Sequence, residues 1–124
     1  MAKFDLIGLG NALVDSEFHV TDSFLKKKGF EKGTMHLVDS DEQTNLLNSL
    51  EKEYGKPSLA CGGSATNTIF AASILGSSCS YICKVGNDKN GNFYLDDLSD
   101  AGVNIDHSVM LDSSINSGTC TVMV

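Results

Sequence analysis

The 124-residue chain contains no arginine: its nine basic residues are all lysines, and its net charge is -7. A nucleic-acid partner demands a basic face to neutralise phosphates, so this balance argues against that class. The acidic residues are expected on helix surfaces, where they keep a protein in solution. No apolar run approaches the roughly 20 residues that cross a bilayer, and the start, Met1 to Ile7, turns polar too soon for a signal peptide. No membrane partner is expected. Nor is there a C-x-x-C pair. Cys61, Cys79, Cys83 and Cys120 read as reduced thiols of a cytoplasmic protein. His19, His36 and His107 are scattered, so no metal site is expected. Internal repeats and the Gly-Lys-Ser/Thr of a P-loop are also missing.

The chain has 41% hydrophobic and 20% charged residues, a composition that folds. Its length fits one small domain or part of a larger one. An apolar run over residues 3–9 ends at Gly8 and Gly10, predicting a buried strand and a sharp turn. Weak alternation predicts a strand at 14–20. Thr21 or Asp22 would cap a short helix ending near Gly29, and 33–38 reads as another strand.

Ser40-Asp41-Glu42-Gln43 has the pattern of a capping box. The helix it opens has Leu46, Leu47, Leu50 and Tyr54 on one face and is stopped by Gly55 and Pro57. A short strand is predicted at 58–61. Gly62-Gly63 then turn the chain into a helix reaching about Leu75, apolar almost all round and therefore expected to be buried. A strand at 79–85, a helix capped by Asn87 or Asp88 and ending near Gly102, and strands at 107–111 and 119–124 complete the reading. Alternating strands and helices predict an α/β layered sheet. The segments at 14–20, 33–38 and 107–111 break that alternation and suggest a separate small sheet. The last residues, Thr119 to Val124, form an apolar run with no polar tail, which predicts that the chain is the front part of something longer.

Two glycine turns could carry chemistry. Gly8-Leu9-Gly10 follows a strand, but the third glycine position of a dinucleotide fingerprint is Leu13, and a strand rather than a helix follows. At Gly62-Gly63-Ser64-Ala65-Thr66-Asn67, paired glycines let a ligand approach backbone amides, Ser64 can cap the helix, and the Asn67 amide can both donate to and accept from a vicinal diol. Asn11 and Asp15 flank the first turn, where a carboxylate and an amide can accept from sugar hydroxyls. Local chemistry alone leaves open a capped core helix at the second turn and ordinary turn residues at the first.

In order along the chain, Gly8 to Asp15, the Gly62 to Asn67 segment, Gly76, Val85-Gly86-Asn87-Asp88 with Gly91, and Ser117-Gly118-Thr119 resemble the ribokinase, or PfkB, family of carbohydrate and nucleoside kinases. Ile69 departs from the pattern, standing where a small residue is usual. The segment Phe24 to Asp39 is most similar to bacterial adenosine-kinase-like members.

The resemblance implies a ribokinase-like α/β layered sheet with helices on both faces and a small β lid, present here as the N-terminal part. The lid segments would be about 14–38 and 105–118. It further implies an acceptor pocket lined by Asn11, Asp15, Gly62, Gly63, Ser64 and Asn67 for a small-molecule sugar or nucleoside. The complete enzyme would use ATP and Mg²⁺. The family's catalytic Gly-Ala-Gly-Asp segment is absent, so this chain would hold no catalytic residue, bind no nucleotide alone and need its C-terminal half. Pairing through the lid would make a dimer. Two other readings stand beside this one. The chain could be a non-catalytic sugar- or nucleoside-binding module or half of a split kinase. It could also be an interaction protein that pairs its open strands with a partner.

Overall fold

A computed structural model describes residues 3–124. In chain order the elements are β1 (Leu6–Leu9), β2 (Leu13–Phe18), α1 (Asp22–Lys28), α2 (Ser40–Tyr54), β3 (Ser58–Gly62), α3 (Ser64–Ile74), β4 (Cys79–Ile82), β5 (Val85–Gly86), α4 (Lys89–Asp100), α5 (His107–Met110), β6 (Leu111–Asp112) and β7 (Gly118–Met123). Two compact units emerge. Among the described residues, one comprises 3–15 and 60–120, the other 16–59 and 121–124. Strands β3, β2 and β7 form one sheet in that order.

In the first unit β1 pairs in parallel with β4, placing Gly8 opposite Tyr81 and Leu9 opposite Ile82. Alternation sends Gly8, Cys79 and Tyr81 to the face covered by α3. Gly8 is required there: a Cβ would lie 2.5 Å from the Ile69 side chain and 2.8 Å from Tyr81. The large residue at position 69 is thus accommodated by the glycine facing it. Val14, Ile69, Tyr81, Val85, Tyr94, Leu95 and Leu98 form the core of this unit. β1 is not the buried strand its apolar run predicts, because its other face is bare: Ile7 and Leu9 are 64% and 75% exposed. The same holds for α3, where only Thr66 and Ile69 are buried and Leu75 is 87% exposed.

The second unit has its own core of Phe18, Phe24 and Leu50, flanked by Leu46, Leu47 and Tyr54. Leu50 is fully buried, a side chain that stabilises by roughly 1.5–3 kcal/mol. Thr21 caps α1 through its hydroxyl, and Gly29 ends it at φ 75°. The capping box of α2 is real but sits one residue earlier than predicted. Asp39, not Ser40, accepts from the amides of Asp41 and Glu42, and the Glu42 carboxylate accepts from the Asp39 amide.

Two predicted strands are absent. Residues 33–38 form no strand, and Met35 and Leu37 project from the surface. At 107–110 the chain makes one helical turn, because the Asp106 carboxylate accepts from the Ser108 amide and caps it. Only Leu111–Asp112 pair, in parallel with Val85–Gly86.

Candidate functional site

Both glycine turns lie in the first unit, and both are crowded by protein atoms. A Cβ at Gly62 would lie 2.7 Å and 2.8 Å from the carboxylate oxygens of Asp15. Gly63 has φ 110°, and its Cβ would lie 2.7 Å from the Asn11 carbonyl oxygen. The space that paired glycines leave open is therefore filled by Asp15 and by the backbone of Asn11. Asn11, Asp15, Gly62 and Gly63, distant in sequence, are brought together in this way.

Asp15 is half-buried, and its carboxylate has no hydrogen-bond partner among the described residues. Burial alone pushes its carboxyl above the usual carboxylate value, since desolvation disfavours the charged form. An unpaired carboxylate of this kind is poised to accept from a ligand's hydroxyls. Ser64 does not cap α3. It is the first helical residue, Gly63 stands at the cap, and no side chain answers the first-turn amides. Asn67 is exposed one helical turn on. Together with Ala60, Cys61, Thr66, Phe70 and Asp97 it lines a cleft of about 220 Å³, which neither Asn11 nor Asp15 borders. A larger hollow of about 380 Å³ in the second unit is walled by the long surface side chains of Lys27, Lys28, Lys52 and Glu53 and lacks such convergence.

Behind the two turns lies a group the motif reading passed over. Thr66 Oγ1, Tyr81 Oη and Tyr94 Oη meet in the core, all three residues fully buried. Tyr81 donates to the Asn11 carbonyl at 3.3 Å, and Tyr94 donates to the Gly62 carbonyl at 3.2 Å. Burial raises the Tyr94 hydroxyl well above its ordinary value, so it remains a donor. Thr66 sits inside the Gly62–Asn67 string, but only packing reveals its partners.

A second junction involves Asp88. Its carboxylate accepts from the Gly91 amide and from both the amide and the hydroxyl of Ser117, each at 2.8 Å. Ser117 is tied in turn to Gly86, whose amide donates to its hydroxyl at 3.0 Å. The Val85–Gly91 string and Ser117, matched separately in the sequence, are thus one structural junction.

Residues 34–124 match the family described as pfkB family carbohydrate kinase. The chain is 30% identical over 122 residues to adenosine kinase 2 of Arabidopsis thaliana, covering 96% of this chain and 34% of that protein. It is similar to the crystal structure of adenosine kinase from Sinorhizobium meliloti at 32% identity and TM-score 0.77, covering 99% of this chain and 36% of the other. Adenosine kinase of Trypanosoma brucei brucei aligns at 26% identity and TM-score 0.82, covering 100% and 38%. The chain thus spans about a third of the length of the adenosine kinases it matches.

Proposed function

Since the chain belongs to the pfkB family of carbohydrate kinases, we propose that it is the acceptor-binding N-terminal part of a phosphotransferase that moves the γ-phosphoryl group of ATP to a primary hydroxyl of a nucleoside or sugar. The observation that carries this reading is the unpartnered Asp15 carboxylate lodged against Gly62. Adenosine is the favoured acceptor, because several relatives bear the name adenosine kinase. Asp15 would hold ring hydroxyls beside Asn11, Gly62, Gly63 and Ser64, whereas Asn67, the partner the family resemblance implies for that task, borders the neighbouring cleft. Segments 14–38 and 105–118 would close over it, and in a dimer they would pair with a second copy. The setting would be the cytoplasm.

Most catalysis in such transfers is positioning plus electrostatics. This chain would supply the positioning. It contains no P-loop, and no three carboxylate, cysteine or histidine side chains come together among its described residues. By the family resemblance, ATP and Mg²⁺ would be held by the rest of the protein, where the Gly-Ala-Gly-Asp segment is expected.

The test is ADP release with adenosine, ribose and fructose. Residues 1–124 alone should give no turnover above a no-protein blank, while the chain extended to its relatives' length should be active. In that longer protein, Asp15→Ala removes a charged acceptor, and a hydrogen bond to a charged group is worth roughly 1.5–3 kcal/mol. Acceptor binding should fall about tenfold to 150-fold, with ATP affinity unchanged. Equal losses for both substrates would mean that Asp15 serves folding instead.

A further inference from the structure

Three hydroxyls from three elements meet behind the glycine turns: Thr66 from α3, Tyr81 from β4 and Tyr94 from α4. Thr66 Oγ1 contacts Tyr81 Oη at 2.9 Å and also the Tyr94 oxygen. The tyrosines reach outward, one to each turn, at Asn11 and Gly62. No other connection of this kind joins the two turns through side chains among the described residues.

Counting protons shows how the chain of bonds is built. Four contacts share three hydroxyl protons. The two carbonyls can only accept, so each tyrosine commits its proton to its own turn. Thr66 then has one proton for two tyrosine oxygens, and one contact is always without a proton. Removing one tyrosine hydroxyl leaves two protons for two contacts and one turn unheld. Each Tyr→Phe change thus frees a single, known turn while keeping the aromatic ring in the core.

We infer that Thr66, Tyr81 and Tyr94 are positioning residues for the acceptor, setting the spacing of the Asn11 and Gly62-Gly63 turns from behind. The inference rests on the acceptor-site reading proposed above. All three residues are fully buried, Thr66 beneath the cleft it helps line, so they act through the turns they hold. Tyr81 sets the Asn11 turn, Tyr94 sets the Gly62 carbonyl beside Asp15, and Thr66 couples the two. The core would be as well filled by phenylalanine and valine, so the hydroxyls are spent on geometry.

The experiment uses the protein extended to its relatives' length, with Tyr81→Phe, Tyr94→Phe, Thr66→Val and the conservative Thr66→Ser. Steady-state kinetics with adenosine, ribose and fructose give KM for acceptor and for ATP separately. Amide NMR shifts at Asn11, Gly62 and Gly63 report the turns without reference to activity. Each Phe variant should raise acceptor KM about three- to tenfold, the scale of one hydrogen bond, with ATP KM within twofold. Tyr81→Phe should move the Asn11 amide most and Tyr94→Phe that of Gly63, the peptide partner of the Gly62 carbonyl. Thr66→Ser should restore what Thr66→Val loses. If Thr66→Val does not fold, the two Phe variants decide alone. An active parent whose Phe variants keep acceptor KM, or move it together with ATP KM, overturns the positioning role. A parent that phosphorylates none of the panel overturns the proposed function, and the acceptor role with it.

Discussion

Gly62 and Gly63 are adjacent, yet a methyl group at each should have different consequences. At Gly62 the atoms in the way are the end of the Asp15 side chain, which can rotate aside. Gly62→Ala should therefore fold, with stability within about 1 kcal/mol of the parent, and lose acceptor affinity much as Asp15→Ala does. At Gly63 the obstacle is the Asn11 carbonyl, a backbone atom, and φ is 110°. Gly63→Ala should lose roughly 1–3 kcal/mol of stability, readable by urea unfolding. Asp15 itself makes a pH prediction. Burial raises its folded pKa above the unfolded value, so its stabilising contribution is present at low pH and lost as pH rises through that raised value. Acceptor binding, which needs the carboxylate, should run the opposite way and strengthen over the same interval. Titrating acceptor affinity against pH in the parent and in Asp15→Asn checks this; the dependence should vanish in the variant.

At the scale of elements, the N-terminus of α4 is held by one side chain that also holds a distant loop. Burial by itself would raise the Asp88 carboxyl, but hydrogen bonds from Ser117, Gly91 and Asn90 outweigh it and leave it below the usual carboxylate value. The folded pKa is depressed, so the contribution to stability is present above the unfolded value and lost as pH falls through the folded one. Asp88→Ala should cost roughly 1–3 kcal/mol near neutrality, combining a lost cap with the Ser117 amide left without its acceptor. The difference from the parent should shrink on acidification below the ordinary carboxylate range. Urea unfolding at neutral and acidic pH measures both. A constant difference would mean that packing, rather than the ionised carboxylate, accounts for the loss.

At the scale of the whole molecule, the first unit leaves one face of its β1–β4 ribbon uncovered. Leu9 and Ile82 are cross-strand partners and both are exposed, with Ile7 beside them on the same face. Apolar surface of this kind is normally covered or functional. Residues 1–124 should therefore bind a polarity-sensitive apolar dye while folded, and Leu9→Ser with Ile82→Ser should reduce the fluorescence without lowering the unfolding midpoint. A signal unchanged by the pair would place the dye elsewhere, with Ile74 and Leu75 at the end of α3 as the next exposed residues to test.

Much of this molecule was determined by local sequence. Thr21 and Gly29 bracket α1, Gly55 ends α2, and Asp88 opens α4, because caps and stops depend on groups within a few residues of each other. The ordered glycine strings carried the family, and the match over residues 34–124 covers those from Gly62 onward. Tertiary structure decided what depends on distant partners. Residues 33–38 carry a strand-like pattern but have no strand to pair with, and α3 is apolar yet largely exposed because nothing packs on its outer side. The motifs placed Asn11, Asp15 and the glycines near one another, but not the reason for two glycines, which is the carboxylate of Asp15 and the carbonyl of Asn11 occupying their missing side chains. The Thr66, Tyr81 and Tyr94 hydroxyls carry no signal of their own. Threonine and tyrosine are ordinary core residues until folding brings three of them, 15 and 28 positions from Thr66, within hydrogen-bond reach.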